Sequence, residues 1–335
     1  MKYFTLPLTG TLAVAFLALA GCSKQADLLP SIASIAVANP DFQELEDAAV
    51  RGDVAVLLSN KNPNDPSGDF TVFAPTNAAF ARLGLNTAAD LAALDRGFLR
   101  STLFYNVANG RIAGAALALL PDSLRSALKN PATQRFLTRR IIRRGADLYV
   151  NGSKILATDI QAANGVVHPI DKVLLHGGGN IVQVAIAVSE GKVFVQPELT
   201  LLVAAVVRSG LAPTLSNPAA SFTIFAPTDA AFRAFGVANA IPLNTVAEVS
   251  AADPQLLSSV LLGHALSGGK FTPELNPTNA PASVRTAGGG SLTLGVFQNG
   301  VESVKGPNNA AAATMVIPDV QCTNGVVHII DKVLY

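Results

Sequence analysis

The sequence predicts an α+β fold written twice along the chain, and three observations carry that prediction. FTVFAPTNAAF at 70–80 returns as FTIFAPTDAAF at 222–232, and NGVVHPIDKVLL at 164–175 returns as NGVVHIIDKVLY at 324–335. The two phrases keep their order, and their offsets of 152 and 160 residues nearly agree, which marks a duplicated domain with small internal insertions. Within each copy, helical patterns dominate early and short β-rich runs with Asn-Gly turns dominate late.

Bulk properties fit this organisation. A chain of 335 residues suits two domains of ordinary size. Half of the residues are hydrophobic and 14% are charged, so each half can bury a core and global disorder is not expected. The net charge of +1 argues against a molecule held to nucleic acid by charge, and no specific nucleic-acid partner is expected. With no Trp and four Tyr, stacking platforms for sugars or bases are scarce. Cys22 and Cys322 stand too far apart in sequence to suggest a disulfide framework.

Taken in order, residues 1–21 read as a secretory signal: Lys2 and the free amine, then a largely apolar run from Phe4 to Ala20. Its end, Leu19-Ala20-Gly21-Cys22, resembles the lipobox of bacterial lipoproteins. That resemblance implies cleavage before Cys22 and lipid on its thiol, the strongest nucleophile among side chains for such a transfer. Ser23 after the cysteine favours, by the same resemblance, a bacterial outer-membrane lipoprotein, with the membrane face left open. Residues 22–30 then form a tether, 31–175 the first copy, Gly177-Gly178-Gly179 the seam within 176–179, and 180–335 the second copy.

Each copy opens with an amphipathic helix. In the first it covers Asp41 to Arg51, with Phe42, Leu45 and Val50 facing inward. Its counterpart, Leu199 to Val207, is apolar nearly all round and is expected to lie deeper. FTVF and FTIF are strands ended by Ala-Pro, after which Thr76 and Thr228 can cap helices that bury Phe80 and Phe232. Further helices are predicted over Ala88–Leu94 and Arg96–Tyr105. The late hairpins turn at Asn151-Gly152 and Asn299-Gly300. A closing strand follows each NGVVH.

Both copies resemble the fasciclin domain, through the F-T-V-F-A-P-T-x-x-A-F block and the terminal N-G-V-V/I-H-x-I-D-x-V-L block, each present twice and in order. The resemblance covers nearly all of the chain after the tether. It implies two tandem α+β units, each a wedge-shaped β-sandwich with helices packed around it. A third family element, L-x-Y-H-V, is altered in both copies: Leu103-Phe-Tyr-Asn-Val107 and Leu261-Leu-Gly-His-Ala265. Such scattered loss suits packing better than catalysis.

Candidate functional residues follow. His168 and His328 have no His or Cys partner at ligand spacing, so each is expected to satisfy a backbone carbonyl and pin its closing strand. Asp159-Ile160 and Asp319-Val320 sit where animal members of the family carry an Asp-Ile pair associated with integrin binding; they are either the candidate adhesion contacts or, structurally, an Asp ending a strand with its apolar neighbour packed inward. Arg135, Arg139, Arg140, Arg143 and Arg144 crowd into ten residues with no equivalent in the second copy. They suggest a patch for an anionic polymer, or a solvated surface paired with carboxylates of the same copy. The first copy carries 15 basic against 13 acidic residues, and the second 7 against 9. Cys322, between Gln321 and Thr323, has no base beside it in sequence and is expected to be buried and inert.

No nucleophile elbow, zinc-protease helix, phosphate loop or dinucleotide fingerprint occurs. The expectation is therefore a non-enzymatic, lipid-anchored protein of the bacterial envelope, without cofactor or metal. It would bind a protein or polysaccharide of the matrix or of neighbouring cells. The alternatives are an accessory subunit of a polysaccharide-handling envelope complex and, ranked last, an enzyme acting on an ester or glycan.

Overall fold

A computed structural model describes residues 29–120, 123–130, 134–191, 199–278 and 280–335. The segment expected to be a signal, and Cys22 with its expected lipid, lie outside the described residues.

The fold of each copy is organised by one strand pairing. Phe70–Pro75 runs parallel to Gly165–Ile170, Phe70 opposite Gly165 and Pro75 opposite Ile170. In the second copy Phe222–Pro227 and Gly325–Ile330 repeat the pairing residue for residue. The two repeated phrases are thus the two central strands of a sheet. In the first copy this sheet is completed by the edge strands Val107–Asn109 and Ile160–Ala162. Both of its faces are covered, which is why the strands read as apolar runs and not as alternating ones. Phe70, Val72 and Ala74 face the helices, while Phe73 and Ile170 face a layer that includes the hairpin strands Ile141–Arg144 and Asp147–Val150. In the second copy Ile224 and Ala226 face the helices, and Phe225 and Ile330 pack with Leu292, Leu294 and Val304.

The helices form where caps and periodicity place them. Thr76 and Thr228 accept hydrogen bonds from the N–H groups of Ala79 and Ala231. Arg96–Tyr105 is helical as predicted, and Ala88–Ala93 ends one residue early. The amphipathic helix begins with a 3₁₀ turn at Pro40–Phe42 and continues as Gln43–Arg51. Phe42 and Leu45 point inward, but Val50 is 63% exposed and Ala48 and Ala49 take the inner face. The counterpart Thr200–Arg208 buries Leu201, Leu202, Ala205 and Val206 and leaves Val207 outside. The Asn-Gly turns adopt the left-handed backbone that this dipeptide favours, at Asn151 and at Asn299-Gly300.

The NGVVH phrase tightens the joint. The Asn164 side chain accepts from the N–H of Ile32 (2.9 Å) and donates to the carbonyls of Leu58 (2.8 Å) and Asn60 (2.7 Å), tying two helical segments to the closing strand. Asn324 does the same with Ile181, Leu215 and Asn217. At Gly165 and Gly325 φ is near +154°, and a Cβ would come within about 2.1 Å of the facing carbonyl oxygen of Phe70 or Phe222. Only glycine fits there.

The seam differs from the sequence expectation of separate cores parted by glycines. Leu175 and His176 pair in parallel with Val320 and Gln321, so the first copy supplies the outermost strand of the second copy's five-stranded sheet. The Gly177 N–H donates to the Gln321 carbonyl and the Thr323 N–H to the Gly179 carbonyl. One apolar cluster runs from the first copy's helices through Val173, Leu175 and Val320 into the second copy's helices. Each copy keeps a core of its own only on the hairpin side.

Replacing Asn164 by Ala removes three hydrogen bonds, two of them buried, and leaves the Ile32 N–H and the Leu58 carbonyl without this partner. The expected cost is about 2–4 kcal/mol, read as a lowered urea midpoint at unchanged m-value.

Candidate functional site

The sequence candidates converge on two equivalent constellations, one per copy, that differ in what covers them. In each, the closing-strand histidine is fully buried and bridges two backbone groups. His168 Nε2 lies 2.9 Å from the Ile112 carbonyl, and Nδ1 accepts the Asp159 N–H at 3.1 Å. His328 lies 3.0 Å from the Lys270 carbonyl and accepts the Asp319 N–H at 3.1 Å. A neutral imidazole is the side chain that can offer a donor on one edge and an acceptor on the other. Burial lowers the pKa of both rings and keeps them neutral.

That N–H is delivered by an aspartate in the left-handed region, Asp159 at φ 67° and Asp319 at φ 65°. Asn and Asp tolerate this conformation better than most residues. Each carboxylate then accepts from the first residue of a short helix. Asp159 receives the Gly114 N–H (2.9 Å), and Asp319 receives the Thr272 N–H (2.7 Å) and hydroxyl (2.8 Å). The Asp beside the apolar residue is therefore a joint of the fold in both copies.

The covering is what separates them. Lys172 of the first copy enters the second and puts its Nζ 2.6 Å from Asp319, 3.0 Å from the Thr272 hydroxyl and 2.6 Å from the Gly300 carbonyl. Both charged residues are buried, at 6% and 7% exposure. Burial alone would raise the Asp319 pKa, but the Lys172 ammonium and the donors around the carboxylate hold it below the ordinary value. Gly152 is the neighbour that leaves room, since a Cβ there would fall on the Asp319 carboxylate. Val320 is 3% exposed under Leu175. Asp319 and Val320 are thus withdrawn from any outside partner, a correction to their reading as adhesion contacts. Asp159 and Ile160 stay partly exposed, at an edge strand with no further strand paired on it among the described residues.

The arginine cluster also changes meaning. The segment forms two strands, Phe136–Arg139 and Ile141–Arg144, with Arg140 at the break. Arg139 is 1% exposed; it donates to the Tyr105 and Arg125 carbonyls and lies 4.9 Å above the Phe73 ring. Arg140 reaches Glu274 of the second copy at 2.6 Å and the Gly269 carbonyl at 3.0 Å. Arg144 donates to the carbonyls of Pro273, Asn276 and Thr278. Arg143 is exposed and donates to the Ala118 and Leu120 carbonyls; Arg135 is exposed as well. The five do not form one open patch. Two bind the copies together, and the carboxylate that Arg140 meets belongs to the other copy.

Other polar residues of the joints lie in motifs the sequence showed but take partners it did not. Tyr105 is buried and, with Asn151, encloses the Gln321 side chain of the second copy. Asn106 and His264, unlike in sequence, play the same part. Each donates to the carbonyl four residues back and accepts the N–H of Leu174 or Leu334. Cys322 is buried, and burial raises its thiol pKa. Among the described residues no group of three His, Cys, Asp or Glu side chains could hold a metal ion, and no helix is long and apolar enough to cross a membrane.

Lys172→Met leaves Asp319 buried without its counter-charge and is expected to cost about 3–5 kcal/mol. Asp319→Asn added to it should cost less than the two single changes summed, in a urea double-mutant cycle. Stability should also depend on pH from both sides. Burial lowers the pKa of all four histidines, His176 and His264 to about 4. They charge more readily unfolded than folded, so stability is lost as pH falls from 6.5 towards 4, by up to about 1.4 kcal/mol per unit for each ring. Glu302 acts oppositely. It is 2% exposed, and burial pushes its pKa up to about 8. Its stabilising protonated state is therefore lost as pH rises towards 8. Glu302's contribution is lost progressively between about pH 4.5 and 8, so thermal melts should peak at about pH 6–7, and Glu302→Gln should remove the decline above that and steepen the acid limb.

Comparison with known proteins places this architecture. A family model for the fasciclin domain matches residues 40–176 and again 197–335. Pig transforming growth factor-beta-induced protein ig-h3 is 28% identical over 268 residues, 80% of this chain and 35% of that protein. Human periostin is 26% identical over 270 residues, 80% of this chain and 28% of that protein. The chain thus spans about a third of the length of these relatives. The immunogenic protein MPB70 of Mycobacterium bovis is 32% identical over 109 residues, 32% of this chain and 51% of that protein. A solved FAS1 domain pair from the insect cell adhesion molecule fasciclin I aligns over 90% of this chain and 95% of that one, with a TM-score of 0.38 and 17% identity. Two matches of the family model, in the order of the repeated phrases, show that the chain belongs to the fasciclin-domain family as a tandem pair.

Proposed function

We propose that this protein is a lipid-anchored adhesion or binding protein of the bacterial cell envelope, held through Cys22 at the outer membrane. Its ligand is a protein or polysaccharide of the matrix or of neighbouring cells. The observation that carries the reading is the tandem pair itself, locked by a buried ion pair and a shared sheet. A locked pair presents its outer surfaces at fixed spacing. Many copies anchored side by side then convert weak contacts into avidity, by roughly 10²–10⁴ where geometry permits. Membership of the fasciclin-domain family, shared with ig-h3 and periostin, supports the same reading.

Within this reading Asp159 and Ile160 are the preferred contacts, because their second-copy counterparts are covered and they are not. Asp159→Asn keeps an acceptor for the Gly114 N–H while removing the charge. The test is an array of matrix proteins and glycans probed with the whole chain, since the seam makes the separate halves unsuitable. Capture by one ligand class, weakened several-fold in Asp159→Asn at unchanged melting temperature, is the expected result. Capture unaffected by that change moves the contact elsewhere, and no capture by any ligand overturns the adhesion reading.

A further inference from the structure

The helical side of the first copy contains a cleft of about 160 Å³, lined by Ile32, Ala33, Phe42, Ala49, Leu58 and Val72, with Glu46 among its lining residues. Its wall is otherwise almost wholly apolar, and Val37 and Val50, each 63% exposed, are part of it. An aliphatic void of roughly 150 Å³ stays dry and admits a benzene-sized guest.

The second copy supplies an internal control. Its helices are set in the same register, because Ile181 and Ile32 bond the equivalent Asn324 and Asn164 side chains, and the Leu215 and Leu58 carbonyls do likewise. The equivalent cleft there holds about 40 Å³. Among the positions that line both clefts, the copies differ at four. Val182 stands where the first copy has Ala33, Val206 where it has Ala49, Ile224 where it has Val72, and Val203 where it has Glu46. The first three exchanges remove five carbon atoms from the first copy's wall. The fold can therefore fill this cleft with ordinary side chains and does so once. An unfilled cleft forfeits packing contacts, and the first copy has in addition a carboxylate where the second has a valine.

We propose that the first copy's cleft is a binding site for the hydrocarbon end of a small neutral or cationic amphiphile, its alkyl part against Ala33, Ala49 and Val72 and its polar head at Glu46. A hydroxyl can donate to that carboxylate and an ammonium can pair with it, whereas a carboxylate head meets like charge. The second copy's cleft, smaller and without the acid, is not expected to bind. Such a site is independent of the adhesion reading.

The experiment titrates the whole chain calorimetrically with 1-hexanol, hexylamine and hexanoate. One site per chain is expected for the alcohol and the amine, with hexanoate several-fold weaker. Each methylene from butanol to hexanol should tighten binding about fourfold, the factor equivalent to about 0.8 kcal/mol per buried CH₂. Glu46→Gln should abolish the preference for amine over hexanoate. Ala33→Val with Ala49→Val, the residues the second copy already carries, should abolish binding and raise the melting temperature. Should that pair perturb folding, Ala49→Val alone and Glu46→Gln decide. Absence of binding by every member of the series overturns the proposal, as does unchanged binding in a folded cleft-filled variant.

Discussion

Everything in each copy hangs on the parallel pairing of one strand near its beginning with one at its end. Phe70–Pro75 and Gly165–Ile170 are separated by some ninety residues of chain, and no hairpin can join them. The pairing must be held by side chains that bring distant segments to it, and this explains the composition of the repeated phrase. The asparagine ties the helices, the glycine lets the facing carbonyl approach, and the histidine fixes the loop that turns back over the sheet. Each is a polar or achiral residue at a point where an apolar one would leave backbone groups unpaired. Their recurrence in both copies reflects joinery and needs no reaction chemistry.

Where the copies diverge, the divergence follows the seam. Lys172 and Lys332 occupy the same place in the phrase, yet the first is buried against Asp319 and the second lies beside Asp331 with its side chain 40% exposed. Tyr105 encloses Gln321, while its counterpart Gly263 has no side chain to do so. The arginines present only in the first copy reach the second copy's Glu274 and its backbone. A buried ion pair is weak evidence for net stability, but a half-removed one is costly. The seam is therefore selective: it fixes one relative placement of the domains and penalises others. That is the property a tandem binding protein needs if the spacing of its surfaces is to matter.

Much of this was legible in the sequence, because duplication, caps and Asn-Gly turns are local signals. Thr76, Thr228 and the turns at Asn151 and Asn299 behave as their chemistry dictates. What was not legible required partners. Five nearby arginines announce charge, but nothing in them says that Arg139 would be buried on Phe73 or that Arg140 would find its carboxylate 134 residues away. Val50 satisfied the helical period and still faces outward, since alanines fill the inner face beside it. Asn106 looked like the loss of a histidine that the second copy keeps as His264. They share a donor and an acceptor, and letters do not display that equivalence.

The differences between the copies also tell where ligand contact can reside. The hairpin side and the outermost strand that the first copy supplies to the second copy's sheet are committed to the seam, and their polar joints tolerate little change. The clefts of the helical side include none of the seam residues Val173, Leu175 and Val320, and there the copies differ by Ala33 against Val182, Ala49 against Val206 and Glu46 against Val203. The first copy's edge strand at Ile160 is likewise uncovered by the second. A duplicated domain that commits one set of surfaces to holding its copies together can vary only the remainder. In this chain that remainder is the first copy's sheet edge and the helical faces of both.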